Sequence, residues 1–229
     1  MDAKNLLAEF EDGRTDLLPD LFEAGVSPSY RNGHGISLMQ TCAYYGDVSA
    51  IRNLLALGAS LKELGHNLGL EAACFHGHWR LCQLLLEHGA NVNDQSSETK
   101  ETPLHAALST DDRTSHDVVL QVLLAAGANP NLHAADGVET GGFMRDARTK
   151  GETPLHRAAA FGQEKTVKML LDAGAQREAR DARNDTPLSW ASWYLRPAAI
   201  LSQLCYGDYR VNPVRKTMRE NLIGLPHKA

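Results

Sequence analysis

Histidines are the residues of this chain best suited to chemistry, and two of them stand close together. The sequence has ten histidines, and His76 and His78 are separated by one residue in the segment FHGHW. Histidine pairs that bind a metal from one helix usually stand three or four residues apart, on one face. Because Gly77 is expected to end a helix between them, the two rings should point apart. We therefore predict no metal site.

The other reactive side chains form no catalytic pattern. The four cysteines are scattered through helical-looking stretches without the spacing of a metal or redox pair, which favours buried, reduced thiols. Neighbouring carboxylates at Asp111-Asp112 lie in a polar stretch that nothing encloses. Neither a nucleophile elbow nor a glycine-rich phosphate loop is present. We expect no enzyme and no cofactor. The cysteines are Cys42, Cys74, Cys82 and Cys205.

The composition and net charge of the chain disfavour some classes of binding partner. The 229 residues are 43% hydrophobic and 22% charged, which is typical of a folded globular protein. The formal net charge of −5 disfavours nucleic acid, and no apolar run approaches the roughly 18 residues of a membrane span. The first residues, MDAKNLLAEFEDGR, lack the features of a signal peptide. We expect a cytoplasmic protein with no membrane partner.

Internal repetition reveals the elements that carry these side chains. A glycine ends an apolar helical stretch six times, and a second mark, TPLH or a variant of it, recurs between these glycines. The mark is TPLH at Thr102–His105 and Thr153–His156, TPLS at Thr186–Ser189, SLMQ from Ser37 and LGLE from Leu68. The glycines are Gly25, Gly58, Gly89, Gly127, Gly174 and Gly207.

One repeat can be interpreted physically from Thr153 to Gly174. Thr153 is suited to cap a helix, and Pro154 fits its first turn, where no N–H is needed. Gly162 should break this helix, and Gly174 should end a second one in the left-handed conformation. A single pair of short helices cannot bury its apolar face alone, so neighbouring units must stack. The second helix places three apolar residues on one face: Val167, Leu170 and Leu171.

These motifs resemble the ankyrin repeat family over about residues 14–212. The resemblance implies an all-α solenoid of helix-turn-helix units with projecting β-turn or hairpin loops, and structural roles for His105 and His156. We expect a single ankyrin repeat domain over residues 1–229. Within it, 1–33 would form an N-terminal capping repeat, 34–207 five repeats, and 208–229 a C-terminal cap and tail.

Three segments depart from the family pattern. A long insertion at residues 132–150 should extend one loop into a finger, with a turn at Gly141-Gly142. The segment STDDRTSHD adds about four residues between the helices of the fourth repeat. The sequence Leu195-Arg196-Pro197 replaces the glycine that usually stands between the two helices of a repeat.

In the ankyrin family, the end of each first helix faces the concave side, where most partners dock. By this resemblance, the groove positions are Ser109 and Thr110 in repeat four and Ala160 in repeat five. The aromatic residues and one histidine at such positions form a candidate binding stripe, together with Phe143 and Arg145 in the finger. The stripe residues are Tyr44, Tyr45, Phe75, His76, Phe161, Trp193 and Tyr194. Trp190 is expected to pack inward.

We therefore predict a protein–protein interaction module that binds another protein through its aromatic groove and extended loop, as an adaptor, inhibitor or scaffold. Two uses of the stripe remain open, because the same rings could serve packing between repeats. A self-assembling homodimer that buries the surface is the alternative, although the prediction favours a monomer. A small-ligand or metal-binding protein is disfavoured, since an open groove excludes water poorly.

Overall fold

The computed structural model describes residues 2–110, 113–140 and 148–211. Six pairs of α-helices follow one another along these residues, with one β-hairpin between the fourth and fifth pairs. Three short 3-10 helices, Thr15–Leu17, Leu61–Leu64 and His66–Gly69, precede α2 and α5. The α-helices are α1 Ala3–Glu11, α2 Leu18–Glu23, α3 Leu38–Tyr44, α4 Val48–Ala56, α5 Leu70–Phe75, α6 Trp79–Glu87, α7 Pro103–Ala107, α8 Arg113–Ala125, α9 Pro154–Phe161, α10 Glu164–Asp172, α11 Pro187–Trp193 and α12 Ala198–Leu204.

The helix pairs stack in sequence order. First helices contact first helices from α3 through α5, α7 and α9 to α11, and second helices contact second helices from α4 to α12. A continuous apolar core, extending from Leu6 to Leu204, runs through the stack. Each pair therefore buries its apolar face only against its neighbours, as a solenoid requires. The mostly helical architecture confirms the predicted fold class.

Local sequence accounts for where the first helices begin. At Thr102 and Thr153 a capping box forms, with the histidine three residues later as its second member. In each box, Nδ1 of the histidine accepts the backbone N–H of the threonine at 3.1 Å. His105 and His156 are thus structural, as the motif predicts.

Asparagines link the projecting loops of successive repeats. Asn93 donates its side-chain amide to the carbonyl of Gly127 at 3.1 Å and accepts the N–H of Asn129 at 2.7 Å. Asn131 bonds in the same way to Gly174 and Gln176, one repeat further on. These hydrogen bonds satisfy backbone groups that the loops would otherwise leave unpaired.

The predicted loop insertion contains a two-stranded antiparallel hairpin. Strand β1, Asp136–Glu139, pairs with β2, Arg148–Lys150, and the register places Asp136 opposite Lys150 and Glu139 opposite Arg148. The base of the hairpin is tied to repeat four, since Ala135 donates its N–H to the carbonyl of Thr99. The predicted turn at Gly141-Gly142 lies outside the described residues.

The extra residues of the fourth repeat lie largely within a helix, which corrects their placement between the helices. Helix α8 has 13 residues and already begins at Arg113. Arg113 donates from Nε and Nη2 to Asp117 one turn later, at 3.1 and 2.9 Å, and both side chains are buried. This ion pair and the Arg113 bond to the carbonyl of Ala107 stabilise the added turn.

The break in the last repeat has a backbone cause. Leu195 follows α11 with a φ of 53°, a left-handed conformation that is costly for a branched side chain. The corresponding turns in repeats two and three contain Gly46 and Gly77, which adopt positive φ without this cost. The sequence change at Leu195 therefore leaves the turn geometry in place.

The cysteines are free thiols, as predicted, and Cys42, Cys74 and Cys82 are buried. Cys74 and Cys82 lie 3.6 Å apart between their sulfur atoms, which is contact without a covalent bond. Among the helices described, none combines the length and the apolar character that a bilayer crossing requires.

Candidate partner-binding surface

The exposed ends of the first helices and the residues between them form one surface, which we call the first-helix face. At its N-terminal end Tyr44 is 61% exposed and Phe75 is 39% exposed. The ring of Tyr44 lies edge-on to the rings of Tyr45 and His76, with centroids 5.1 and 5.2 Å apart. Phe75 contacts His76 in the same manner. The N-terminal aromatic cluster therefore consists of Tyr44, Tyr45, Phe75 and His76.

The expectation that His76 and His78 point apart is wrong. Their rings stack with centroids 5.7 Å apart and an interplanar angle of 22°. Gly77, with a φ of 76°, reverses the chain tightly enough to bring both rings to one side. Nε2 of His78 is 2.9 Å from the carbonyl oxygen of Tyr44, which fixes its ring against the preceding repeat.

His76 remains neutral at physiological pH. Burial lowers the pKa of its imidazole, and the nearby His78 and His116 lower it further. Among the described residues, no three side chains of the metal-ligating kinds lie together. The ring of His76 thus contributes shape and polarity to the cluster rather than positive charge.

The C-terminal aromatic cluster lies at the other end of the face. It consists of Phe161, Trp193 and Tyr194, and Trp193 is 79% exposed. The ring of Phe161 is half-buried and lies 4.6 Å from that of Tyr194, across the boundary between two repeats. Trp190 packs inward as expected, with its indole N–H donated to Asp181 at 2.9 Å.

Between the clusters, two predicted groove residues are buried, which corrects the interpretation of the middle repeats. Ala160 is packed inside the stack, and so is Ser109, whose hydroxyl donates to the carbonyl of His105 at 3.0 Å. Ser109 is covered by Arg157, whose Nη1 donates to the Ser109 hydroxyl at 3.3 Å and to the carbonyl of His105 at 3.1 Å. The aromatic stripe is therefore two clusters.

Arg157 is the centre of a buried polar cluster. Its guanidinium donates to the carboxylates of both Glu101 and Glu152, and all three side chains are under one-tenth exposed. Thr140, at the end of the hairpin, donates its hydroxyl to Glu101 at 3.0 Å. Although burial alone would raise the pKa of Glu101, Arg157 and these hydrogen bonds hold it below its usual value. Two carboxylates share one guanidinium, so the cluster has a net charge of −1.

A cavity of about 510 Å³ opens on the first-helix face directly beside this cluster. Three carboxylates line it, from Glu71, Glu98 and Glu101, whereas its lining among the described residues contains no lysine or arginine. Phe75 and His76 form its aromatic wall, and Thr140 contributes from the hairpin. A second, more apolar cavity of about 190 Å³ shares His76 and extends toward Tyr44. The face therefore holds an acidic pocket next to an apolar one.

Sequence reasoning missed the acidic side chains, although a signal for each was present. Glu101 and Glu152 each precede a TPLH motif, so the longer repeat is ETPLH. Glu71 stands where the degenerate mark LGLE has its fourth residue, the position of histidine in TPLH. Arg157 follows the second motif directly, and nothing local in the sequence distinguishes it from a surface arginine. The two finger residues of the prediction, Phe143 and Arg145, lie outside the described residues.

The stacked helix pairs, their capping motifs and the open face define a solenoid binding module rather than an enclosed active site. Comparison of the sequence with models of protein families agrees with this architecture. The model for ankyrin repeats (three copies) matches residues 38–136 and again 137–215. The chain belongs to the ankyrin repeat family, whose repeats are protein–protein interaction modules and are in general not enzymes.

Similar proteins also contain ankyrin repeats. The chain is 28% identical to Ankyrin repeat and SOCS box protein 16 of Homo sapiens, over 93% of this chain and 53% of that protein. It is 32% identical to Ankyrin repeat and SOCS box protein 11 of Danio rerio, over 69% of this chain and 50% of that protein. The chain thus spans about half the length of these two relatives. It also matches 12% of the E3 ubiquitin-protein ligase KEG of Arabidopsis thaliana, at 26% identity over 73% of this chain.

Proposed function

We propose that this chain binds another protein through the first-helix face, and that it acts as an adaptor, inhibitor or scaffold through this contact. One observation carries the proposal: the face exposes two aromatic clusters on either side of an acidic pocket. Tyrosine and tryptophan are the residues most enriched at the energetic centres of protein interfaces. Large exposed rings on a rigid stack offer contact area at little conformational cost.

The family and its members support this use of the face. The names of two similar proteins combine ankyrin repeats with a SOCS box, and the chain matches about half of each. We propose that the matched part in this chain does what ankyrin repeats do in general, which is to recognise a partner protein. No catalytic step is part of the proposal, because an open face excludes water poorly.

The test compares two variants in an affinity capture from cell extract. Tyr44→Ala with Trp193→Ala removes the most exposed ring of each cluster. No hydrogen bond to another described residue is recorded for either side chain, so the double variant should fold. Leu57→Ala is the matched control, because Leu57 is 55% exposed at the end of α4, away from the face. We expect a protein retained by the wild type and the control to be lost from the double variant.

Two outcomes would contradict the proposal. If the double variant retains the same proteins as the wild type, the aromatic clusters are not the contact. Light scattering covers the alternative, a homodimer that buries the face. A mass twice that of the chain that falls to the monomer mass in the double variant would establish self-assembly in place of a separate partner.

A further inference from the structure

Glu71 occupies an unusual position in the repeat pattern. In repeats two, four and five the corresponding residue, Gln40, His105 or His156, accepts the backbone N–H of the residue that caps its helix. Helix α5 instead begins after Gly69, and its N-terminus has no side-chain cap. Glu71 is exposed and points into the 510 Å³ cavity. Glu71 therefore stands at the fourth position of the motif but does not make the hydrogen bond to the capping residue's backbone N–H that Gln40, His105 and His156 make.

The surroundings of Glu71 are negative. Its carboxyl is partly enclosed by the cavity walls, and this partial desolvation raises its pKa, as do the charges of Glu101 and Asp94. His66 and Arg157 offset only part of this shift, and the Arg157 guanidinium is itself bonded to Glu101 and Glu152. His76, which forms the aromatic wall together with Phe75, is neutral for the reasons given above. Within the part of the chain that the structure describes, the pocket lining holds three carboxylates and neither lysine nor arginine.

The wall beside Glu71 suits one kind of cation. Phe75 stands one helical turn after Glu71, so ring and carboxylate lie next to each other on the same face. A guanidinium can pair with a carboxylate while its flat surface or its aliphatic stem covers an aromatic ring. The neighbouring apolar cavity, toward Tyr44, continues the same channel through Ala72 and His76. An extended peptide segment can fill both cavities at once.

We infer that the acidic pocket is the receptor site for an arginine side chain in a basic segment of the partner protein. The guanidinium pairs with Glu71 and lies against Phe75, and a neighbouring apolar residue of the same segment enters the cavity beside Tyr44. Charge complementarity selects this occupant, because three carboxylates and, among the residues described, no lysine or arginine line the pocket. The inference rests on the proposed function, because it names the chemistry that the first-helix face recognises.

The experiment uses random linear peptides displayed on phage and selected against the full chain. Enriched peptides are synthesised with arginine and with citrulline, its neutral isostere, and their affinities are measured by calorimetry. We expect arginine at a fixed position in the enriched peptides. Citrulline in its place should weaken binding roughly tenfold, since a charge-assisted pair is lost.

Two substitutions at Glu71 connect the peptide to the pocket. Glu71→Gln should weaken binding of the arginine peptide about as much as the change to citrulline does. The citrulline peptide should bind this variant and the wild type with equal affinity. Glu71→Lys should abolish the binding. Glu178→Lys makes the same change of net charge on the exposed loop after α10 and should leave affinity nearly unchanged. Thermal unfolding of each variant verifies the fold.

Three results would overturn the inference. Enriched peptides that contain no basic residue, yet lose affinity in Tyr44→Ala, would refute the arginine site and leave the binding face intact. Arginine peptides that bind Glu71→Lys as well as the wild type would place the cation elsewhere. If no peptide is enriched, a linear basic segment is not the ligand, and a protein captured through the aromatic clusters would still uphold the proposed function.

Discussion

Nε2 of His105 donates a hydrogen bond of 3.1 Å to the carbonyl oxygen of Glu152, 47 residues further along the chain. The other ring nitrogen, Nδ1, accepts the N–H of Thr102 and can do so only while it carries no proton. Burial lowers the pKa of this imidazole to about 3, and the nearby Arg157 contributes to the shift. A single neutral ring thus joins repeats four and five across the hairpin.

The pKa of His105 predicts a loss of stability in mild acid. The unfolded chain takes up a proton near the ordinary histidine pKa of about 6.5, whereas the folded chain does not until about pH 3. Stability contributed by neutral His105 is therefore lost as pH falls through this window. Between pH 7 and pH 5 the loss from this residue should be roughly 2 kcal/mol. Urea unfolding at the two pH values measures it.

The matched variant is His105→Gln, because the chain already has glutamine at this position of repeat two. Gln40 accepts the N–H of Ser37 at 2.9 Å in a complete capping box. The variant should be less stable than the wild type at pH 7, having lost the bond to Glu152. Its stability should nevertheless fall less steeply toward pH 5. Parallel pH profiles would show that His105 is not the titrating group.

Removal of the buried guanidinium should be severely destabilising. Arg157→Met leaves the carboxylates of Glu101 and Glu152 buried without their shared partner. Breaking one side of a buried ion pair typically costs about 3–5 kcal/mol. Adding Glu101→Gln and Glu152→Gln to Arg157→Met removes the two stranded charges and should restore a large part of the loss. Equal stabilities of the single and triple variants in urea unfolding would contradict this account.

Substitution by alanine should destabilise the protein to different extents at two glycines that have similar backbone conformations. Gly58 and Gly77 both have positive φ, but a Cβ at Gly58 meets no atom within 4 Å. At Gly77 it would lie 2.9 Å from Cε1 of His116, a ring held in place by its bond to the carbonyl of Phe75. Gly58→Ala should cost about 1 kcal/mol for the backbone alone. Gly77→Ala should cost roughly 1–3 kcal/mol more, because the Ser115 hydroxyl and the His116 ring must move.

A substitution at Leu195 should stabilise the protein. Leu195 is 90% exposed and has left-handed backbone geometry, so its side chain contributes strain and little packing. Leu195→Gly should be more stable than Leu195→Ala by about 1 kcal/mol, since only glycine adopts this φ without cost. The alanine variant removes the exposed side chain while keeping the strain. Differential thermal unfolding of the pair separates the two effects, and equal melting temperatures would exclude backbone strain at this turn.

The fold could be predicted from the sequence because its determinants are local. Thr153 and His156 form a capping box within one turn, and Gly174 ends a helix by its own backbone preference, so both are readable without tertiary structure. The arrangement of side chains on the first-helix face depends on tertiary contacts as well as on local sequence. His76 and His78 were predicted to diverge, and they stack because the turn at Gly77 and the carbonyl of Tyr44 act together across two repeats.

The acidic pocket and the Arg157 cluster show where sequence reasoning ends. Glu101, Thr140 and Arg157 come from three separate segments, and their contact depends on how far the hairpin base leans toward repeat four. No spacing rule encodes that distance. Glu71 was readable in part, since it departs from the repeated motif, but its exposure and its charged neighbours follow only from the packed arrangement.

The hairpin base has a consequence for how the solenoid can bend. Ala135 and Thr140 join the hairpin to repeat four, and the carbonyl of Lys150 accepts the N–H of Ala182 in the loop that precedes repeat six. The hairpin therefore bonds the projecting loops of three successive repeats into one row. Bending the stack at repeat five would break hydrogen bonds at both of its boundaries, so we expect the middle of the solenoid to move as a unit.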